Sequence, residues 1–84
     1  MSSKINISVF VPSVGQNHEF IVPGEMTTDK VLSLIANLLA EEYQGISSNP
    51  SQLWLYDRST LDVLDPSLTF RQLGVRNGSK LMLA

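Results

Sequence analysis

Cysteine is absent from these 84 residues, which excludes disulfides, thiolate metal sites and cysteine nucleophiles. Histidine occurs once. His18 stands beside Glu19, but with no second histidine or cysteine to join it in a metal site it reads as a solvated residue at the start of a strand. Positive charge is scarce and scattered: only Lys4, Lys30, Arg58, Arg71, Arg76 and Lys80, for a net charge of −2. A nucleic-acid platform needs a clustered basic face, so nucleic acid is not an expected partner. Long apolar runs are missing too. The longest apolar segment, residues 31–39, is interrupted by polar residues and cannot span a bilayer, so no direct membrane insertion is expected. Met1-Ser2-Ser3-Lys4 leads into alternating residues and not into a secretory leader, so a soluble protein is the expectation. Asp57, Asp62 and Asp65 lack the ligand spacing and closing glutamate of a calcium loop and read as turn formers. Serines have no nearby partner base, and the glycines are single, without a phosphate-cradling loop. No catalytic residue, metal or cofactor is expected.

What the chain does contain is well-patterned apolar residues. Its length suits one domain, residues 1–84, which needs nearly every large apolar side chain inside. Ile5, Ile7, Val9 and Val11 alternate with Asn6, Ser8 and Phe10, the period of a strand with one buried face. A Pro12-to-Asn17 turn leads to a second strand, where Phe20 and Val22 alternate with Glu19 and Ile21 until Pro23-Gly24. Thr27 or Thr28 can cap a helix with Asp29 in its first turn. Val31, Leu34, Ile35, Leu38 and Glu42 then follow at helical spacing as the core-facing stripe, and Gly45 with Ile46 ends the helix. Leu32, Ala36, Leu39 and Tyr43 widen the apolar arc to roughly 200°. The chain's own loops, residues 47–51 and 57–65, are the preferred cover for that flank; weak self-association through Leu32, Leu39 and Tyr43 is the alternative. Leu53 and Leu55 mark a third strand, and residues 63–64 a short one. A turn and short helical segment with Leu68 and Leu73 buried come next, then an Asn77-Gly78 turn and a last strand through Leu81 and Leu83. The order ββαββ predicts an α+β fold: a mixed sheet, first and last strands central, one long helix across one face.

The stretch Gly45-Ile46-x5-Gln52-Leu53 and the ending Leu68-x4-Leu73-Gly74-Val75-x2-Gly78-x2-Leu81-x-Leu83 resemble the corresponding parts of ubiquitin-like, or β-grasp, proteins. Val11-Pro12, Leu55-Tyr56-Asp57 and the close at Leu81-Met82-Leu83-Ala84 are most similar to the YukD-type (EsaB-type) proteins encoded with bacterial type VII secretion systems. That resemblance implies a cytoplasmic accessory protein whose partners include membrane components of the secretion machine. Ubiquitin and the sulfur carriers act covalently through an extended Gly-Gly tail. No Gly-Gly pair occurs here and the sequence stops at Ala84, so conjugation and sulfur transfer are the disfavoured alternative.

If Leu53 and Leu55 point inward, Trp54 points to the opposite face of the sheet. Met82 and Ala84 on the last strand, with Phe10 and Ser8 on the first, belong to that same face. By the resemblance, Trp54 holds the place of the central isoleucine in ubiquitin's partner-binding patch. An exposed Trp, Met and Phe together suit a protein-binding hot spot. The competing expectation is a Trp54 ring lying flat on the sheet under Tyr56 and loop side chains, contributing only stability.

Overall fold

A computed structural model describes residues 4–43 and 53–84. Strand β1 (Lys4–Val11) turns through a hairpin into β2 (Gln16–Pro23), and helix α1 (Thr28–Glu42) follows. The chain then forms β3 (Leu55–Asp57), a single-turn helix α2 (Phe70–Leu73) and β4 (Ser79–Leu83). The four strands lie in the order β2-β1-β4-β3. β1 and β4 are parallel neighbours in the centre, and β2 and β3 run antiparallel at the edges.

Local chemistry fixes the central pairing. At the Asn77-Gly78 turn, Gly78 N–H donates to the Asn6 carbonyl and the Asn77 side chain accepts from Asn6 N–H at 2.8 Å. Gly78 takes φ +85°, a left-handed conformation that costs glycine nothing. The turn therefore delivers β4 alongside β1, with Val9 opposite Leu81 and Phe10 opposite Met82. Period-two alternation does the rest: Ile7, Val9, Val11, Leu55, Leu81 and Leu83 are buried on the helix side.

The helix lies across that apolar layer, rotated from the predicted orientation. Val31, Leu32, Ile35, Ala36 and Leu39 are buried, whereas Leu34 and Leu38 are 47% and 51% exposed. The flank assigned to loops or to self-association is thus the centre of the core: Leu32 and Leu39 are buried and Tyr43 is partly buried against the same cluster. Self-association through Leu32, Leu39 and Tyr43 is overturned by that burial. The rotation is set at the helix N-terminus. Thr28 N–H and Oγ1 both donate to Leu68 O at 2.9 Å, and Asp29 N–H donates to Pro66 O at 3.0 Å. Thr27 occupies the N-cap position without a side-chain capping bond, so Thr28 is the residue that anchors. At the other end the helix stops at Glu42 and Tyr43 is extended. Gly45, Ile46 and the 47–51 loop lie outside the described residues.

The C-terminal part supplies one core residue the pattern missed. Phe70 is fully buried, while Leu68 and Leu73 are only half-buried. A capping box forms α2: Thr69 Oγ1 accepts from Gln72 N–H, and Gln72 Oε1 accepts from Thr69 N–H. That single turn drives the Phe70 ring inward. In place of the short strand expected at residues 63–64, an isolated bridge pairs Val63 with Tyr56; Leu64 is buried and Val63 exposed.

Candidate protein-binding face

Backbone pairing puts Trp54 outside. Trp54 N–H donates to Ala84 O at 2.7 Å and Ala84 N–H to Trp54 O at 3.0 Å, extending the ladder one pair beyond Leu55–Leu83. With Leu55 buried, the neighbouring Trp54 faces away from α1 and is 45% exposed.

The strand registers place the other outward residues in rows across the sheet. One row runs Asn17, Phe10, Met82, Tyr56, Val63 from β2 to the bridge beyond β3. Trp54 and Ala84 stand in the row beyond it, on the β3–β4 side. Phe10, Met82, Ala84 and Trp54 are therefore on one face, as the alternation predicts. Phe10 is partly covered, however. The Arg58 guanidinium carbon sits 4.6 Å from its ring centroid, and Arg58 Nη1 donates to Asn17 Oδ1 at 3.3 Å. Ser8 falls in the next row, between Glu19 and Lys80, and so belongs to the polar margin rather than to the apolar patch. Tyr56 and Val63 join the patch; the parity of Tyr56 with Trp54 along β3 was the available signal, whereas Val63 needed the bridge.

Two depressions flank these rows. An apolar notch of about 280 Å³ lies between the β1–β2 turn and the end of β4, lined by Val11, Pro12, Ser13, Leu53, Leu83 and Ala84. A wider, polar cleft of about 600 Å³ is lined in part by Asp57, Arg58, Arg76 and Lys80. Folding thus gathers three of the six basic residues, scattered in the sequence, beside the apolar row.

The remaining candidates resolve into structural roles. His18 is not solvated as predicted. Its Nε2 shares a 2.8 Å hydrogen bond with Tyr43 Oη, its ring meets Tyr43 edge-on, and Nδ1 lies 4.0 Å from Glu42. It ties β2 to the end of α1. Asp57 Oδ1 accepts from Ser59 N–H and Oγ, and Asp65 Oδ1 accepts from Ser67 N–H and Oγ, as turn-forming carboxylates do. These bonds hold both carboxyls below the ordinary aspartate value, Ser59 Oγ being the main cause for Asp57 and Ser67 N–H for Asp65. Among the described residues no group of three or more His, Cys, Asp or Glu could hold a metal ion, and no helix is long and apolar enough to cross a membrane.

No protein-family profile and no curated protein matches the sequence. Solved structures do match the fold. The N-terminal ubiquitin-like domain of the 4931431F19Rik protein superposes with a TM-score of 0.78 at 23% identity, over 100% of this chain and 76% of that one. The ubiquitin of Caldiarchaeum subterraneum gives 0.74 at 20% identity, over 96% and 91%. A computationally designed protein based on human erythrocytic ubiquitin gives 0.73 at 29% identity, over 95% and 89%. The mixed four-stranded sheet, the helix across one face and these likenesses define a ubiquitin-like β-grasp fold.

Proposed function

We propose that residues 1–84 form one non-catalytic ubiquitin-like module that docks protein partners through the outward sheet face around Trp54. It serves, in this reading, as a cytoplasmic accessory component of a bacterial type VII secretion system and binds membrane components of that machine. The observation that carries the docking is the exposed indole set beside Met82, Tyr56 and Val63, next to an apolar notch and bordered by Arg58, Arg76 and Lys80. An aromatic anchor inside a charged rim is the anatomy of a binding hot spot. The partner that fits offers an apolar side chain to the notch and carboxylates to the basic cleft, so its association weakens as salt rises. The resemblance in Val11-Pro12 and Leu55-Tyr56-Asp57 supports the secretion assignment.

The test combines Trp54→Ala with Met82→Ser. Both side chains lie outside the core, so the variant keeps its circular dichroism and unfolding cooperativity. Capture of the secretion system's membrane components drops about tenfold or more, the scale of losing a hot-spot aromatic. A well-folded variant with undiminished capture and secretion removes this face from the account.

A further inference from the structure

Four exposed side chains of α1 repeat every fourth residue: Lys30, Leu34, Leu38 and Glu42. Residues four apart stand one above the other on a helix, so these form a single ridge: basic, apolar, apolar, acidic. At 100° per residue, its two leucines lie roughly 90–130° around the helix from the centre of the buried stripe. Glu42, the last member, reaches within 4.0 Å of His18 on β2, which places the C-terminal end of the ridge on the flank of α1 nearest that edge strand. Each step of four residues turns the row by about 40°, toward the outer side of the helix at Lys30. Two adjacent leucines about half exposed on one flank make a patch, which scattered surface leucines do not.

The order of charges selects the occupant. Read backwards, the ridge is acidic, apolar, apolar, basic, which is its own complement. A second copy laid antiparallel about a two-fold axis sets Lys30 against Glu42 and Leu34 against Leu38, and symmetry repeats both pairings. Rows at i±4 are the ridges that interdigitate in the commonest class of helix pair, and the antiparallel arrangement also opposes the two helix dipoles favourably. A parallel pairing would set Lys30 on Lys30 and Glu42 on Glu42. We propose that α1 is a self-association surface on which two copies of this chain pair antiparallel through Lys30, Leu34, Leu38 and Glu42. One ridge per copy is small beside the roughly 1,000 Å² of a stable interface, so the dimer is weak and forms in the sub-millimolar range. It leaves the opposite sheet face free, and each dimer carries two copies of the Trp54 surface. The inference does not depend on that surface having a partner.

Sedimentation equilibrium and amide-shift titration from about 20 µM to about 1 mM test it. The wild type associates with concentration, and shifts cluster on residues 30–42. Leu38→Ser abolishes association. Lys30→Glu and Glu42→Lys each weaken it about tenfold, because two attractive surface pairs become repulsive. An equimolar mixture of those two variants regains wild-type association as a heterodimer, in which both facing pairs are again opposite in sign, and the double variant K30E/E42K pairs with itself. All of these changes lie on the exposed flank, and circular dichroism verifies the fold. A wild type monomeric at about 1 mM overturns the proposal. So do shifts centred on Trp54, or a mixture that associates no better than its components.

Discussion

In β4, Leu81 and Leu83 are buried and Met82 between them turns to the other side. In α1, Leu32 and Leu39 are buried while Leu34 and Leu38, the same residue type in the same helix, are about half exposed. The two elements differ in how many orientations their sequences permit. A strand has two faces, so one correctly placed residue fixes all the others. A helix can rotate by any angle, and between residues 31 and 39 only Ser33 and Asn37 are polar, so apolar side chains look out over most of its circumference. What decides the rotation lies in another part of the chain: Thr28 and Asp29 bonded to Leu68 and Pro66.

The sharpest way to break that comparison is to cut the same leucine side chain on the two flanks of α1. Leu39→Ala removes a fully buried side chain and lowers stability by about 2–5 kcal/mol. Leu38→Ala, one residue earlier, changes it by less than about 0.5 kcal/mol when urea unfolding is followed at dilute, monomeric concentration. Equal losses would mean that α1 is rotated from the orientation described here.

This contrast also explains what was legible beforehand. The strand faces, the turn at Asn77-Gly78 and the outward Trp54 followed from alternation and turn chemistry, both of which act between near neighbours. Phe70 was missed because one helical turn has no period to read, and its burial follows from the Thr69–Gln72 capping box acting on a single residue. The cover of Phe10 by Arg58 and the gathering of Arg58, Arg76 and Lys80 join positions far apart in the chain, where no spacing rule applies. The docking of His18 on Tyr43 is of the same kind.

That last contact connects the two regions, since β2 meets the end of α1 there. Tyr43→Phe keeps the ring and its edge-on packing but deletes the hydroxyl that bonds His18 Nε2. A part-buried hydrogen bond of this sort contributes about 0.5–1.5 kcal/mol, so the urea midpoint falls modestly with an unchanged slope. A midpoint equal to that of the wild type would show that packing alone holds the helix end to β2.

The smallest effect separates the sheet from the helix anchor by acid. Asp57 orders the turn after β3, beside the outward face, and Asp65 orders the turn that presents Pro66 and Leu68 to α1. Each carboxyl has a folded pKa below its ordinary value of 3.8, so the folded state binds fewer protons than the unfolded one in that window. Their contribution is therefore complete above the unfolded value and is lost as pH falls through each folded value. Asp29, lowered chiefly by a hydrogen bond from the Thr27 side chain, titrates in the same direction and forms a common background. Asp57→Asn and Asp65→Asn each flatten the acid limb of stability between about pH 5 and about pH 2. Amide exchange tells them apart. The Thr28 and Asp29 amides bond to Leu68 and Pro66, so acid loosens them in the wild type and in Asp57→Asn, while Asp65→Asn removes most of that pH dependence. If Asp57→Asn removed it instead, the anchor that sets the rotation of α1 would depend on the sheet edge and not on the turn at Asp65.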